Sequence, residues 1–324
     1  MPTIRCAILD DYQDAALAAA DWQSLGDAFQ IERFADHIRD RDELAMRLAA
    51  FEVVVAMRER TVFDADMLSR LPNLKLLVTT GMVNASIDLD AAHRHGVTVC
   101  GTRGSVGPAA ELAWGLLLAA MRNIPAENAN FHARGSRWQL GLGRDLMGRT
   151  LGVVGLGKLG QRVVRYGQAF GMDVIGWSRN VTPERCEGLG IGYAATLRDL
   201  LERADVVSLH LALNDGTRGI IGEDELAVMK RDAVIINTSR GPLIDEVALV
   251  RALNDGKLGG AGLDTFDVEP LPADHPFRGM PNVIATPHLG YVTAETYRIY
   301  YQDAVEDIGA WSMGAPVRLL TPSD

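Results

Sequence analysis

The chain has 324 residues, 48% of them hydrophobic and 23% charged. A disordered chain could not carry that apolar share, and the length suits about two globular domains. Basic residues number 32 and acidic 42, a net charge of −10, which argues against nucleic acid and anionic membrane as partners.

The N-terminus reads Met1-Pro2-Thr3-Ile4-Arg5-Cys6-Ala7-Ile8-Leu9-Asp10, a short buried strand rather than a signal peptide. Apolar runs follow at 53–56, 74–79, 151–154, 174–177, 206–210, 233–237 and 261–265, with the first at 4–9. Amphipathic helical stretches lie between them, among them 161–170, 197–202 and 245–254. Strands apolar on both faces that alternate with helices predict an α/β fold with parallel sheets covered on two sides. Residues 109–121 read as one long apolar helix, 135–148 as a glycine-rich stretch without period, and 293–311 as a late helix that returns to the first domain. The longest apolar run, near Leu112 to Met121, is short of the roughly 18 residues a membrane span needs. Three cysteines, Cys6, Cys100 and Cys186, are an odd number and far apart, which fits a reducing cytoplasm and no metal or disulfide framework.

The sharpest motif is Gly155-Leu156-Gly157-Lys158-Leu159-Gly160, with strand 151–154 before it, helix 161–170 after it and a second strand at 173–177. That is a βαβ unit of the size that binds a dinucleotide. Gly155 permits the tight turn, Gly157 the approach of backbone to pyrophosphate, and Gly160 the packing of helix on strand. The helix N-terminus supplies unpaired N–H groups for the phosphates, so Lys158 and Leu159 join the cofactor-binding set. An acidic residue at the end of the second strand would bind the ribose 2′-hydroxyl of NAD. Here that place holds Ser178 and Arg179, which favours NADP, with use of NAD beside it.

Three further patches each put an ionisable residue just after an apolar strand: Asn237-Thr238-Ser239-Arg240-Gly241, Asp264-Thr265-Phe266-Asp267-Val268-Glu269-Pro270 and Thr286-Pro287-His288-Leu289-Gly290. Ligands of open α/β sheets sit outside the carboxyl ends of strands, so Arg240, Glu269 and His288 are expected to converge on the nicotinamide. A histidine suits the proton transfer that keto-acid reduction needs, a carboxylate orients it, and a guanidinium grips the substrate carboxylate and carbonyl. Each residue alone is more often structural. The three together behind a dinucleotide motif are not.

On these motifs the chain resembles the D-isomer-specific 2-hydroxyacid dehydrogenases, which include phosphoglycerate dehydrogenases and glyoxylate/hydroxypyruvate reductases. The likeness covers nearly the whole chain and is densest from Gly148 to Gly290. It implies a flavodoxin-like substrate domain at 1–100 plus 290–324, a Rossmann NAD(P) domain at 101–289, and a cleft between them. It implies a homodimer formed through the nucleotide domain. It also implies NAD(P)-dependent, reversible reduction of a small 2-keto acid to a D-2-hydroxy acid, with Arg240, Glu269 and His288 catalytic. By the same resemblance Asp264 holds the nicotinamide carboxamide, Thr238 and Ser239 lie beside the ring, and His210 and Leu211 flank the cofactor. The substrate carboxylate falls to Gly81, Met82 and Val83, in a loop that departs from the family pattern at Val83 and Ala85. Two other readings stay open: a non-catalytic sensor of nicotinamide redox state, and the same fold acting on another small anion such as phosphite.

Overall fold

The structure, a computed structural model, describes residues 3–322. The extreme residues of the expected first domain, 1–2 and 323–324, lie outside the described residues. The chain forms two compact units: one runs up to Ser105 and resumes at Val292, the other is Val106–Tyr291.

The first unit holds a five-stranded sheet of β1 (Ile4–Ile8), β2 (Phe29–Arg33), β3 (Val53–Ala56), β4 (Leu76–Thr79) and β5 (Thr98–Gly101). All pairings are parallel and the order is β2-β1-β3-β4-β5, the flavodoxin-like arrangement. β3 and β4 are buried along their whole length, as strands covered on both faces must be. The late helix, Ala294–Ser312, packs on β4 and on the short helix Ala16–Ala19 of this same unit. Its Tyr297, Tyr300 and Tyr301 are buried, so that tyrosine stretch is a packing face.

The second unit holds seven parallel strands: β6 (Thr150–Val154), β7 (Asp173–Trp177), β8 (Gly192–Tyr193), β9 (Val206–Leu209), β10 (Val234–Asn237), β11 (Gly260–Leu263) and β12 (Val283–Ala285). Their order is β12-β11-β10-β9-β6-β7-β8. Numbered from the first strand of the unit, that is the Rossmann order with one strand added, and the order reverses between β6 and β9. The apolar helix Pro108–Arg122 packs on β10, β11 and β12, and on the helix Lys158–Ala169. That last helix starts three residues before the expected 161, because Gly157 already serves as its N-cap.

The eight apolar runs read from the sequence are β1, β3, β4, β6, β7, β9, β10 and β11. The four strands the pattern did not reveal, β2, β5, β8 and β12, are the edges of the two sheets. β2 alternates apolar and polar residues and β8 has two residues, both exposed. Among the described residues, no helix is long and apolar enough to cross a membrane, and no three His, Cys, Asp or Glu side chains cluster as metal ligands.

The chain after the late helix is tied to β5: Gly101 N donates to Arg318 O and Leu320 N to Val99 O. Arg318 lies 3.0 Å from the buried Asp307 on the late helix and 2.8 Å from Glu306. Burial pushes the Asp307 carboxyl up to about 7, against the pull of Arg318. The folded protein therefore keeps a proton here that the unfolded chain loses at lower pH. The stability this confers is full below the ordinary carboxylate range and is lost as pH rises through about 7. Asp307→Asn cannot ionise, so its stability relative to the parent should improve by about 1–2 kcal/mol between pH 5 and pH 8, after discounting for screening. Urea denaturation at both pH values checks this; a constant difference would refute it.

Candidate active site

The dinucleotide motif occupies the turn from β6 into the helix Lys158–Ala169, at the point where the strand order reverses. Gly155 has φ +98°, and a Cβ on it would stand 2.5 Å from the carbonyl oxygen of His210 at the end of β9. A Cβ on Gly160 would overlap the carbonyl oxygen of Gly155, so the helix begins in tight contact with the turn. Gly157 differs, since a Cβ there meets nothing within 4 Å. The protein's own packing does not require that glycine. The space in front of it is what a pyrophosphate approaching the helix N-terminus would use.

A cavity of about 350 Å³ opens at this point, lined by Gly155, Leu156, Gly157, Ser178, Asn180, Val181, Arg185, His210, Leu211 and Ala212. Backbone turn, helix terminus and cavity together fit a nicotinamide dinucleotide. Ser178 sits in the wall as the sequence suggests, but Arg179 does not. Its guanidinium lies over Gly216, where a Cβ would overlap it. The arginine that lines the cavity is Arg185, on the helix Pro183–Gly188. The sequence does not single out Arg185 or Asn180, because nothing in the local pattern says which residues after β7 line the cavity. His210 has its Nε2 2.9 Å from Ser208 Oγ, while its buried Nδ1 has no hydrogen-bond partner among the described residues. Burial pushes its imidazole down to about 4, so the ring is neutral at physiological pH.

At the ends of β11 and β12 the expected pair comes together: His288 Nδ1 lies 2.6 Å from Glu269 Oε2. Glu269 Oε1 accepts from Phe266 N at 2.9 Å, which anchors the carboxylate while Oε2 meets the ring. His288 has φ +55°, a left-handed backbone rare outside glycine. The bracing of its loop explains how this is tolerated. Asp264, fully buried at the end of β11, accepts from Thr286 Oγ1 at 2.6 Å, Leu289 N at 2.7 Å and Gly290 N at 2.8 Å. Burial raises this carboxyl above its ordinary range, and those hydrogen bonds, with His288 nearby, pull against the rise. The sequence suggests a role for Asp264 toward the nicotinamide. The structure gives its side chain to the His288 loop.

Arg240 follows β10 in an extended conformation, and its Nη1 donates to Ser239 O at 2.7 Å. Ser239 Oγ donates to Leu209 O at 2.8 Å and Thr238 Oγ1 to Ala109 O at 3.5 Å, so both hydroxyls brace backbone. Lys158 and Leu159 form the first turn of the motif helix.

In the first unit, Gly81 follows β4 with φ +97°, and the Arg58 guanidinium lies directly against it. Gly81 N donates to Thr102 Oγ1 at 2.8 Å, and Arg58 Nη1 to Thr80 O at 3.1 Å. Met82 and Val83 expose their side chains. Asn84, whose Nδ2 donates to Arg58 O and Thr79 Oγ1, holds this loop onto the sheet.

A reversing parallel sheet with a glycine cradle and a His–Glu pair at its carboxyl ends defines a nicotinamide-dependent oxidoreductase. Residues 114–290 match the family described as D-isomer specific 2-hydroxyacid dehydrogenase, NAD binding domain. A glyoxylate reductase of Aeropyrum pernix is 40% identical over 260 residues, 78% of this chain and 77% of that one. A D-3-phosphoglycerate dehydrogenase of Methanocaldococcus jannaschii is 39% identical over 80% of this chain, which spans only 49% of that protein. The crystal structure of a phosphoglycerate oxidoreductase from Vibrio cholerae superposes with a TM-score of 0.91 at 40% identity, covering 97% of this chain and all of that one. The chain belongs to the D-isomer-specific 2-hydroxyacid dehydrogenase family. It is an enzyme that uses a nicotinamide cofactor to interconvert 2-keto and D-2-hydroxy acids.

The three glycines of the motif should separate experimentally. Gly155→Ala and Gly160→Ala should each destabilise the cofactor-free protein by about 1–3 kcal/mol through overlap with backbone. Gly157→Val should leave the thermal midpoint near that of the parent but weaken NADH or NADPH binding by at least about tenfold. Fluorescence titration of the nucleotide checks this, and undiminished affinity would move the pyrophosphate elsewhere.

Proposed function

We propose that the enzyme reduces a small 2-keto acid of about the size of glyoxylate or hydroxypyruvate, with His288 as the acid that protonates the new alkoxide. The observation that carries this is the 2.6 Å contact of His288 Nδ1 with Glu269, which leaves Nε2 to face the substrate oxygen. Glu269 fixes the ring's orientation and favours its protonated form. Arg240 grips the carboxylate and carbonyl oxygen of the substrate, as a planar guanidinium does well. When bound, the reduced nicotinamide supplies the hydride. Residues 106–291 form the nucleotide-binding domain, and the other unit carries the substrate-binding loop Gly81, Met82 and Val83. Gly155, Gly157, Lys158, Leu159, Gly160, Ser178, Leu211, Thr238 and Ser239 serve the cofactor, with Asp264 acting by holding the His288 loop. The intact Arg240, Glu269 and His288 set favours catalysis over a sensor role.

NADP is the preferred cofactor in this reading. Ser178 is neutral where NAD enzymes place an acid, and Arg185, which lines the cavity, carries a guanidinium that suits a 2′-phosphate. Arg179 contributes by packing on the Gly216 loop. A homodimer fits the apolar surface of the nucleotide-binding unit, where Phe131, Trp138, Leu142 and Met147 are 65%, 81%, 96% and 79% exposed. Sedimentation as a monomer would overturn it. The three free cysteines, all buried, suit a reducing cytoplasm.

Kinetics with NADPH and NADH against a panel of 2-keto acids test the whole reading. NADPH should be preferred, and Arg185→Ala should erase the preference by about tenfold or more while Arg179→Ala changes it less. His288→Ala should lower kcat by about a hundredfold or more with cofactor affinity retained. Near-parental turnover in that variant would refute the assignment.

A further inference from the structure

The loop that carries Glu269 leaves β11 at Leu263 and meets its next helical turn only at Pro276–Gly279. A carboxylate in mid-loop keeps a fixed angle to its partner only if the loop itself is held. A second histidine–carboxylate pair holds it. Glu246, the first residue of the helix Glu246–Asn254, places Oε1 3.0 Å from His275 Nε2 and accepts from Asp267 N on Oε2 at 3.3 Å. One side chain thus takes hold of the loop at Asp267, before Glu269, and at His275, after it.

The ring of His275 is itself fixed. Its Nδ1 accepts from Phe277 N at 3.3 Å, capping the turn, so the proton sits on Nε2 and is donated to Glu246. The imidazole lies 4.8 Å from the Phe277 ring, and buried Phe277 packs 6.4 Å from Phe266. Phe266 N is the donor to Glu269 Oε1. A continuous set of contacts therefore runs from Glu246 through His275, Phe277 and Phe266 to Glu269 and His288. With side-chain exposures of 15% for His275 and 20% for Glu246, the pair is shielded far better than a surface ion pair, so its hydrogen bonds constrain geometry.

We propose that Glu246 and His275 are positioning residues for the reaction: they clamp the 267–275 loop so that Glu269 presents Oε2 to His288. This rests on the reading of Glu269 and His288 given above. Neither residue touches the reacting atoms; both act through Glu269.

Two substitutions at His275 separate its two nitrogens. His275→Asn keeps an acceptor near the Nδ1 position and loses the donor to Glu246. His275→Gln carries an amide N–H toward the Nε2 position. Steady-state keto-acid reduction by the full chain should show kcat of His275→Asn lowered between about ten- and a hundredfold. The KM for keto acid and the affinity for NADPH, by fluorescence titration, should stay within about twofold. His275→Gln should recover most of kcat. Equal losses in both variants would assign the effect to packing on Phe277 and overturn the proposal. Glu269→Gln is run beside them. If it lowers kcat and His275→Asn does not, the clamp is refuted and the Glu269 reading stands. If Glu269→Gln itself keeps the parental kcat, that underlying reading fails. Should His275→Asn not fold, Glu246→Gln carries the same test: a selective kcat loss supports the clamp and an unchanged kcat refutes it.

Discussion

The parallel alignment of β6, β9, β10, β11 and β12 is the constraint on which the second unit depends. Parallel strands joined by crossovers are covered on both faces, so their side chains are committed to the core. Polar chemistry has room only where the strands stop. All five strands stop at one edge, and there Gly155, His210, Arg240, Asp264 and His288 leave the sheet within a few residues of its end. The register makes these neighbours: Asn237 pairs with Leu263 and Leu263 with Ala285, so the loops after β10, β11 and β12 start level.

Within that edge one buried carboxylate does much of the organising. Asp264 has no exposed surface, and burying an unpaired charge there would be costly. Three donors from the loop after β12 compensate it, and the same three bonds fix that loop. The left-handed backbone of His288 costs on the order of 1–2 kcal/mol in an L-residue. The Asp264 bonds on the residues that flank it offset that cost and aim the ring at Glu269. A ring held in a sparsely populated conformation has its geometry determined by its surroundings rather than by local preference.

The glycines show two distinct kinds of necessity. Gly155 and Gly160 are required by the fold, because a methyl group at either place would strike backbone. Gly157 faces open space, so the fold itself does not require a glycine there. The two arginines after β7 make a similar division. Arg179 packs on the Gly216 loop and Arg185 stands in the cavity wall.

The α/β class and the eight interior strands were legible in the sequence, because a strand buried on both faces must be apolar throughout. So were the βαβ unit and the pairing of Glu269 with His288, since turns and strand ends have residue types of their own. The edge strands β2, β5, β8 and β12 were not: β2 and β8 face solvent or are too short for burial to impose a pattern, and β5, though buried, is four residues that end in Cys100-Gly101. Nor were the duties of Asp264, Arg179, Arg185, Glu246 and His275. Which partner a side chain meets depends on neighbours brought close from 20 or more residues away, as Thr286 is to Asp264 and His275 to Glu246. Periodicity and motif report local preference and burial; the pairing of distant loops is decided only when the strands stand side by side.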